Sequence, residues 1–169
     1  VKVIYTDDIN IDVDEEVIQK FQTANSPSQS EDLYIDYPAD GVMVPRNLDG
    51  FGFRWDDIEN SNNTVYRLHL RSEITDISVY TTQYQWISSS NLWALIGATN
   101  SDGEVTVTVQ AAEWYNGNFS SLRESEDISL IINRLDARGS VYYWSSSNEG
   151  IMRIPLGTSD AEVFWDNSN

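Results

Sequence analysis

The sequence predicts a mainly β protein built on an antiparallel β-sandwich, with one short helix and extra strands at both ends. Apolar and polar residues alternate through most of the chain, as in strands whose successive side chains face opposite sides of a sheet. The clearest example places Val105, Val107, Val109 and Ala111 on one face. Short strands separated by turns at this spacing are typical of a sandwich or barrel. The turn signals are Asp49-Gly50, Asn60–Asn63, Ser101-Asp102-Gly103 and Asn116-Gly117.

Further alternating segments define the expected core. Phe51, Phe53 and Trp55 alternate with Gly52 and Arg54, which predicts that Trp55 anchors the core. The other predicted strands are Tyr66 to Leu70, Ile77 to Val79 and Ile128 to Ile132.

Composition limits the size of the fold and the kinds of partner. A chain of 169 residues with 40% hydrophobic content supports one domain with a sizeable core. The 27 acidic and 10 basic residues give a net charge of -17, which repels phosphate backbones and anionic lipid. No apolar run reaches the roughly 18 to 20 residues that span a membrane. We therefore expect neither nucleic acid partners nor membrane insertion.

Residue usage indicates an exported protein. The absence of cysteine excludes disulfides, thiolate catalysis and cysteine-ligated zinc. Abundant Thr, Ser, Asn and aromatic residues with little Lys favour a bacterial protein of the periplasm, the cell surface or the medium. The chain starts at Val1 without an apolar signal segment, as expected of a mature or trimmed fragment.

The two ends of the chain differ from its centre. Residues 1–30 form an N-terminal appendage, with a strand from Lys2 to Val13, a helical turn from Asp14 to Thr23 and then a linker. Residues 31–136 form the sandwich, and residues 137–169 form a strand extension too small to fold alone. The short helix is expected from Ser90 to Gly97, between a capping residue and a glycine stop. The N-terminal strand is expected to pair along a sheet edge, its own or that of a neighbouring subunit in a homo-oligomer.

Several segments resemble a known family. The opening Tyr37-Pro38-Ala39-Asp40-Gly41, the pair Phe53 and Trp55, the Tyr66-Arg67-Leu68 pattern and the run from Val105 to Ala111 resemble fibronectin type III-like or other immunoglobulin-like modules of bacterial exported proteins. The resemblance spans about residues 33 to 133 and implies that Trp55 packs under the next strand. Val141 to Ser145, with Gly150 to Arg153, resembles the start of a TolB-type propeller repeat.

A basic cluster is the first candidate site. Arg54, Arg67, His69 and Arg71 are expected on one solvent face of a sheet, where they would receive an acidic partner or an anionic glycan. The alternative is that they pair with neighbouring Asp and Glu side chains. His69 is the only histidine, and its two arginine neighbours disfavour the imidazolium that triad catalysis needs.

Two further groups invite a ligand. Asp8, Asn10, Asp12 and Asp14 offer the oxygen ligands that Ca²⁺ prefers, although Val13 and Gln19 break the EF-hand pattern. Apart from Ca²⁺, no cofactor is expected. The aromatic residues Tyr84, Trp86 and Trp114 would stack on sugars if exposed, or cover the core if buried.

These observations favour a non-catalytic interaction or structural module outside the cytoplasm, which binds proteins or assembles subunits. A carbohydrate-binding module is the alternative. A glycoside hydrolase or other enzyme fragment comes third, since Asp and Glu are abundant and the sequence does not show the distances between them. The sequence contains no G-x-S-x-G elbow, Walker loop or histidine-based metal motif. We therefore expect no enzymatic activity.

Overall fold

The computed structural model describes residues 4–166 and is mainly β, with two helices. The helices are α1 (Glu15–Thr23) and α2 (Ser90–Thr99). The strands are β1 (Tyr5–Asn10), β2 (Ser28–Gln29), β3 (Leu33–Tyr37), β4 (Val42–Pro45), β5 (Gly52–Asp57), β6 (Thr64–Arg71), β7 (Thr75–Thr81), β8 (Gln85–Ile87), β9 (Glu104–Tyr115), β10 (Asn118–Phe119), β11 (Arg123–Glu124), β12 (Ile128–Asn133), β13 (Ser140–Ser145), β14 (Gly150–Pro155) and β15 (Glu162–Asp166).

The largest sheet is organised around β9. This strand pairs with β6 along one side, and with β12 and then β11 along the other, while β10 continues as a hairpin. Beyond β6 come β7 and then β1. Three pairings are parallel, namely β1 with β7, β2 with β11 and β4 with β12. The mainly β fold is confirmed, but these three pairings depart from the antiparallel arrangement that was expected, because three early strands join neighbours far along the chain by long crossovers.

A small sheet of β3, β5 and β8 packs over the inner face of the large sheet. Their apolar side chains form one core, in which Phe53 is 1% and Trp55 2% exposed. The predicted alternation is confirmed in β9, since Val105, Val107 and Val109 are completely buried. Trp55 packs edge-on against the ring of Tyr66 with centroids 5.8 Å apart, so its predicted role as a core anchor is confirmed.

Helix α2 closes one end of this core. Its N-cap is Ser89, whose hydroxyl accepts a hydrogen bond from the Leu92 amide at 3.3 Å. The helix continues past Gly97, the expected stop, because that glycine serves packing instead. A Cβ at Gly97 would come within 2.6 Å of the Arg46 Cβ, so the glycine lets the helix approach the chain after β4.

The N-terminal segment belongs to the body of the protein. Strand β1 pairs with the chain's own β7 from Tyr5 opposite Thr75 to Asn10 opposite Tyr80, which confirms pairing along a sheet edge. Lys2 and Val3, the first residues of the predicted strand, lie outside the described residues. Helix α1 then packs on the outer face of the large sheet and forms a second core, at the place where the sequence predicted a helical turn from Asp14 to Thr23. The buried members of this second core are Val13, Val17, Ile18, Phe21, Val65, Tyr80, Ala112 and Leu122.

The C-terminal strands form a separate antiparallel sheet in the order β13, β14, β15. It meets the rest of the protein near Asn47, whose side chain hydrogen-bonds the backbone amide and carbonyl of Ala137 at 2.8 and 2.9 Å. Gly157 also lies against the Asn47 carbonyl. Met152 is buried in this sheet, but most of the large apolar side chains on β13 and β15 are exposed.

Because these contacts are few, a chain cut after Asp136 is expected to keep its fold. We expect its melting temperature to change by less than about 5 °C, whereas loss of residues 1–30 should lower it by well over that amount. The N-terminal deletion uncovers the buried side chains of Val65 and Tyr80. Thermal unfolding followed by circular dichroism measures both. A loss of cooperative unfolding after the C-terminal cut would show that β13 to β15 are required for the sandwich.

Candidate functional site

The predicted basic cluster is divided between the two sheets. Arg54 lies on β5 in the small sheet, where its Nε donates to Asp36 Oδ2 at 2.7 Å. Arg67, His69 and Arg71 lie on β6 in the large sheet, on the face opposite the core. The expectation of one four-residue cluster is therefore wrong for Arg54. Alternation indicates which face of a strand a residue occupies, but it does not indicate which sheet contains the strand.

The three residues of β6 each have a partner on their own face. His69 Nε2 lies 2.7 Å from Asp76 Oδ1, and Arg71 Nη2 lies 3.9 Å from Asp127 Oδ2. Arg67 has neutral partners: its Nε donates to Ser78 Oγ at 3.0 Å, and its guanidinium lies 6.0 Å from the centre of the Tyr80 ring. Only His69 and Arg71 lie beside an Asp, as the alternative interpretation of the sequence predicted, since the partners of Arg67 are neutral.

His69 is held as a neutral imidazole. Burial lowers its pKa most, the hydrogen bond with Asp76 opposes this, and the positive charges of Arg67 and Arg71 lower the pKa further. A neutral ring that donates its Nε2 proton to Asp76 fits these surroundings. The arginine effect expected from the sequence is thus present.

The lowered pKa of His69 predicts a pH dependence of stability. In the unfolded chain the imidazole takes up its proton near its ordinary pKa of 6.5, before the folded protein does. Stability from the neutral ring is therefore complete above about pH 6.5 and is lost as pH falls toward the folded pKa. Urea unfolding between neutral and mildly acidic pH should show a smaller loss for His69→Gln than for wild type. Equal pH slopes would contradict the assignment.

Three of the four candidate calcium ligands, Asp8, Asn10 and Asp12, have protein partners for their side chains, whereas the Asp14 side chain makes no capping hydrogen bond. Asp12 accepts hydrogen bonds from the Thr82 amide at 2.8 Å and hydroxyl at 2.6 Å. Burial alone would raise the pKa of Asp12, but these bonds lower it. Asp8 accepts from Gln22, and the Asn10 side chain bonds both backbone groups of Val13. Asp14 stands at the N-cap of α1. In the described part of the chain, no three His, Cys, Asp or Glu side chains gather into a metal-binding group.

The three candidate sugar-stacking rings differ in how far they are exposed to solvent. Trp86 is buried and stacks on Phe53 with ring centroids 5.8 Å apart. Trp114 is half-buried against the second core. Tyr84 is 40% exposed and leans on Tyr66. An exposed platform of these three rings is therefore not formed, because the inward position of β8 places Trp86 in the core.

The structure contains a buried ion pair that the sequence did not predict. Asp57 is completely buried and receives two hydrogen bonds from Arg123, at 2.8 and 2.9 Å. The Tyr66 hydroxyl donates to the same carboxylate at 3.2 Å. The hydrogen bond to Asp57 raises the pKa of Arg123. Burial raises the pKa of Tyr66 most, followed by its hydrogen bond with Tyr84 and the negative charge of Asp57. A signal was present, since Asp57 continues the inward phase of Phe53 and Trp55.

The C-terminal sheet has one face rich in exposed aromatic rings. Tyr142 and Trp144 lie on one face of β13. Ile151 of β14 is paired with Trp144 on one side and with Trp165 on the other, so Trp165 of β15 lies on the same face. A bulge in β15 brings Phe164 to the same side, with its ring 4.8 Å from that of Tyr142. We call these four aromatic residues the aromatic face. Their exposed fractions run from 48% for Trp165 to 59% for Trp144.

An ion pair lies within the aromatic face. Arg153 Nε donates to Glu162 Oε1 at 2.8 Å, and its guanidinium lies 5.9 Å from the centre of the Phe164 ring. The face therefore combines large apolar rings with one fixed pair of charges, a composition common at protein interfaces.

Comparison with known proteins gives no family for this chain: no family model and no curated protein matches it. Within residues 4–166, neither helix has the length and hydropathy needed to cross a membrane.

Proposed function

We propose that this chain is a non-catalytic interaction or structural module, in which an immunoglobulin-like sandwich presents the aromatic face to a protein partner outside the cytoplasm. The composition of the chain supports the export of this module. The proposal has two supports in the fold, the order of its strands and the exposure of its C-terminal rings.

The strand order supports the immunoglobulin-like assignment. The sheet of β3, β5 and β8 faces a row in the order β7, β6, β9, β12. Seven strands define the pattern, and in chain order they are β3, β5, β6, β7, β8, β9 and β12. The first, second and fifth of them form one sheet, and the other four form the facing sheet. This arrangement corresponds to strands A, B and E against C′, C, F and G. Strands β1, β2, β4, β10 and β11, the C-terminal sheet of β13 to β15 and both helices are additions to that pattern.

The aromatic face carries the functional part of the proposal. Four rings at about half exposure offer on the order of 400 Å² of apolar side-chain surface, which reaches the size of patches that are often functional in monomers. Exposed Trp and Tyr are the residues that most often dominate binding energy. The exposure of these four rings on one face makes this patch our candidate interface. As a three-stranded antiparallel sheet, it is also compatible with part of a propeller blade, whose partner would be a further blade.

The double variant Trp144→Ser/Trp165→Ser tests this function. Immobilised wild type should retain a defined protein from an extracellular protein fraction, and the variant should lose most of it. Tyr115→Ser is the matched control, because Tyr115 is 62% exposed but lies at the end of β9. Solution mass decides whether the partner is a second copy of the chain. Equal retention by wild type and double variant would refute the aromatic face as the interface.

Glycan binding remains the second proposal, now supported by the exposure of Trp144 and Trp165. Sugar rings stack on exposed indoles, and the acidic charge disfavours nucleic acid bases, which stack in the same way. A glycan array probed with the same variants separates the two proposals. Binding to a defined glycan that disappears in the double variant would favour the carbohydrate-binding module over the protein-binding one.

A further inference from the structure

A groove runs between the two sheets beside β3. Strand β3 is an outer strand of the small sheet, and in the described residues it pairs with β5 alone. The groove lies along the side of β3, near the start of β12. Its lining residues are Ser30, Glu31, Leu33, Tyr34, Ile35, Glu126 and Ile128.

The unpaired backbone groups of β3 point into this groove. The Trp55 amide donates to the Tyr84 carbonyl at 3.0 Å. The backbone N–H and C=O groups of Trp55 therefore point toward the β8 side of β5 and away from β3. Ile35 is the β3 residue opposite Trp55. In an antiparallel ladder, such a pair exchanges no hydrogen bonds, and the backbone groups of Ile35 point to the other side. Leu33, two residues earlier, has the same phase. The edge therefore presents alternate donors and acceptors for another strand.

The side chains of the groove provide an apolar floor and an acidic rim. Leu33 is buried, and Ile35 and Ile128 are half-buried at the margin of the main core. Glu31 and Glu126 are exposed. Within residues 4–166, neither carboxylate has a hydrogen-bond or ion-pair partner. The groove thus offers apolar contact below and two unneutralised negative charges at its rim.

We propose that the edge of β3 binds an extended basic segment of a partner protein by strand addition. The segment would pair its backbone with Leu33 and Ile35, place alternate apolar side chains over Ile35 and Ile128, and direct Lys or Arg toward Glu31 and Glu126. A contact with all of β3 requires about five residues, or roughly 17 Å of extended chain. The net charge of -17 attracts such a segment and repels a second copy of this chain, which makes a basic partner the occupant.

The probe is a fluorescent peptide of about seven residues in which Val and Lys alternate, long enough to cover β3. Its binding to the whole chain is measured by fluorescence anisotropy at physiological ionic strength. A peptide of the same composition with all lysines grouped at one end controls for attraction by net charge alone. We expect the alternating peptide to bind at least about tenfold more tightly than the grouped one.

Methylation of peptide amides tests the strand pairing directly. In an added strand, alternate amides donate to β3 and the others point away. Methylating the valine amides in one peptide and the lysine amides in another should abolish binding in only one of the two. Equal affinity of both methylated peptides and the parent would overturn the proposal.

Charge reversal tests the location. The double variant Glu31→Lys/Glu126→Lys should weaken binding by about tenfold or more. Glu113→Lys/Glu15→Lys is the matched control, since both residues are exposed and lie outside the groove. Thermal melting confirms that the variants are folded. If both double variants weaken binding equally, the peptide senses net charge only and the proposal fails. The aromatic face plays no part in this assay, so its result is independent of the proposed function.

Discussion

Replacing Trp55 with alanine is expected to destabilise the protein by about 3 to 5 kcal/mol, the usual cost of truncating a large buried aromatic residue. Trp55 lies in the centre of the small sheet at 2% exposure and contacts the ring of Tyr66. Truncation leaves a cavity in a layer formed by two packed sheets, which cannot collapse freely. Urea unfolding at neutral pH measures the loss.

Two companion variants make the test specific. The Trp55 Nε1 has no hydrogen-bond partner in the described structure, so Trp55→Phe sacrifices volume but no polar contact and should cost clearly less than alanine. Trp144→Ala removes an indole that is 59% exposed and should change stability by less than about 0.5 kcal/mol. If Trp55→Ala melted within a degree or two of wild type, the packing of β5 against the large sheet would be wrong.

Removing the carboxylate of Asp57 is expected to have a similarly large effect, about 3 to 5 kcal/mol for Asp57→Ala. The variant leaves Arg123, whose side chain is only 16% exposed, with Glu59 at 3.5 Å as its remaining carboxylate partner. The Tyr66 hydroxyl also loses its acceptor inside the core. The cost comes from charge and polar groups left unpaired where water does not reach.

A double-mutant cycle with Arg123→Met distinguishes this cause from simple loss of packing. Once the arginine is absent, removing Asp57 should cost much less, so the two effects should be far from additive. Arg46 and Asp136 form a pair of similar length, 2.8 Å, at the surface. Asp136→Ala should therefore cost much less than Asp57→Ala, because solvent screens an exposed pair. Additive effects at Asp57 and Arg123 would contradict the buried pair.

Sequence patterns predicted those parts of the fold that depend on local spacing. The inward phases of β5 and β9 were correct because alternation is a property of each strand by itself. The helix beginning at Ser90 was correct because its cap, Ser89, is adjacent in sequence. The short β8 gave no usable pattern: three residues do not define a phase, and Trp86 turned inward while Ile87 remained 68% exposed.

Sheet membership was not predictable in the same way. Arg54 and Arg67 both occupy outward positions, but their strands lie in different sheets, and only contacts between distant segments decide this. The parallel pairing of β1 with β7 likewise joins residues about 70 positions apart, as the Tyr5 and Thr75 pair shows. The pairing of Asp57 with Arg123 was not predictable for a related reason. Arg123 follows a β-hairpin whose direction no local pattern specifies.

The central position of β9 has a consequence for the protein during its synthesis. Strands β6, β11 and β12 all pair with β9, which is complete only when Tyr115 has been made. A nascent chain that has left the ribosome as far as β8 therefore carries β6 without its neighbour on one side. The large sheet forms only after the later strands have been made. Because such non-local pairing is slow, the apolar side chains of the early strands stay exposed until β9 joins them.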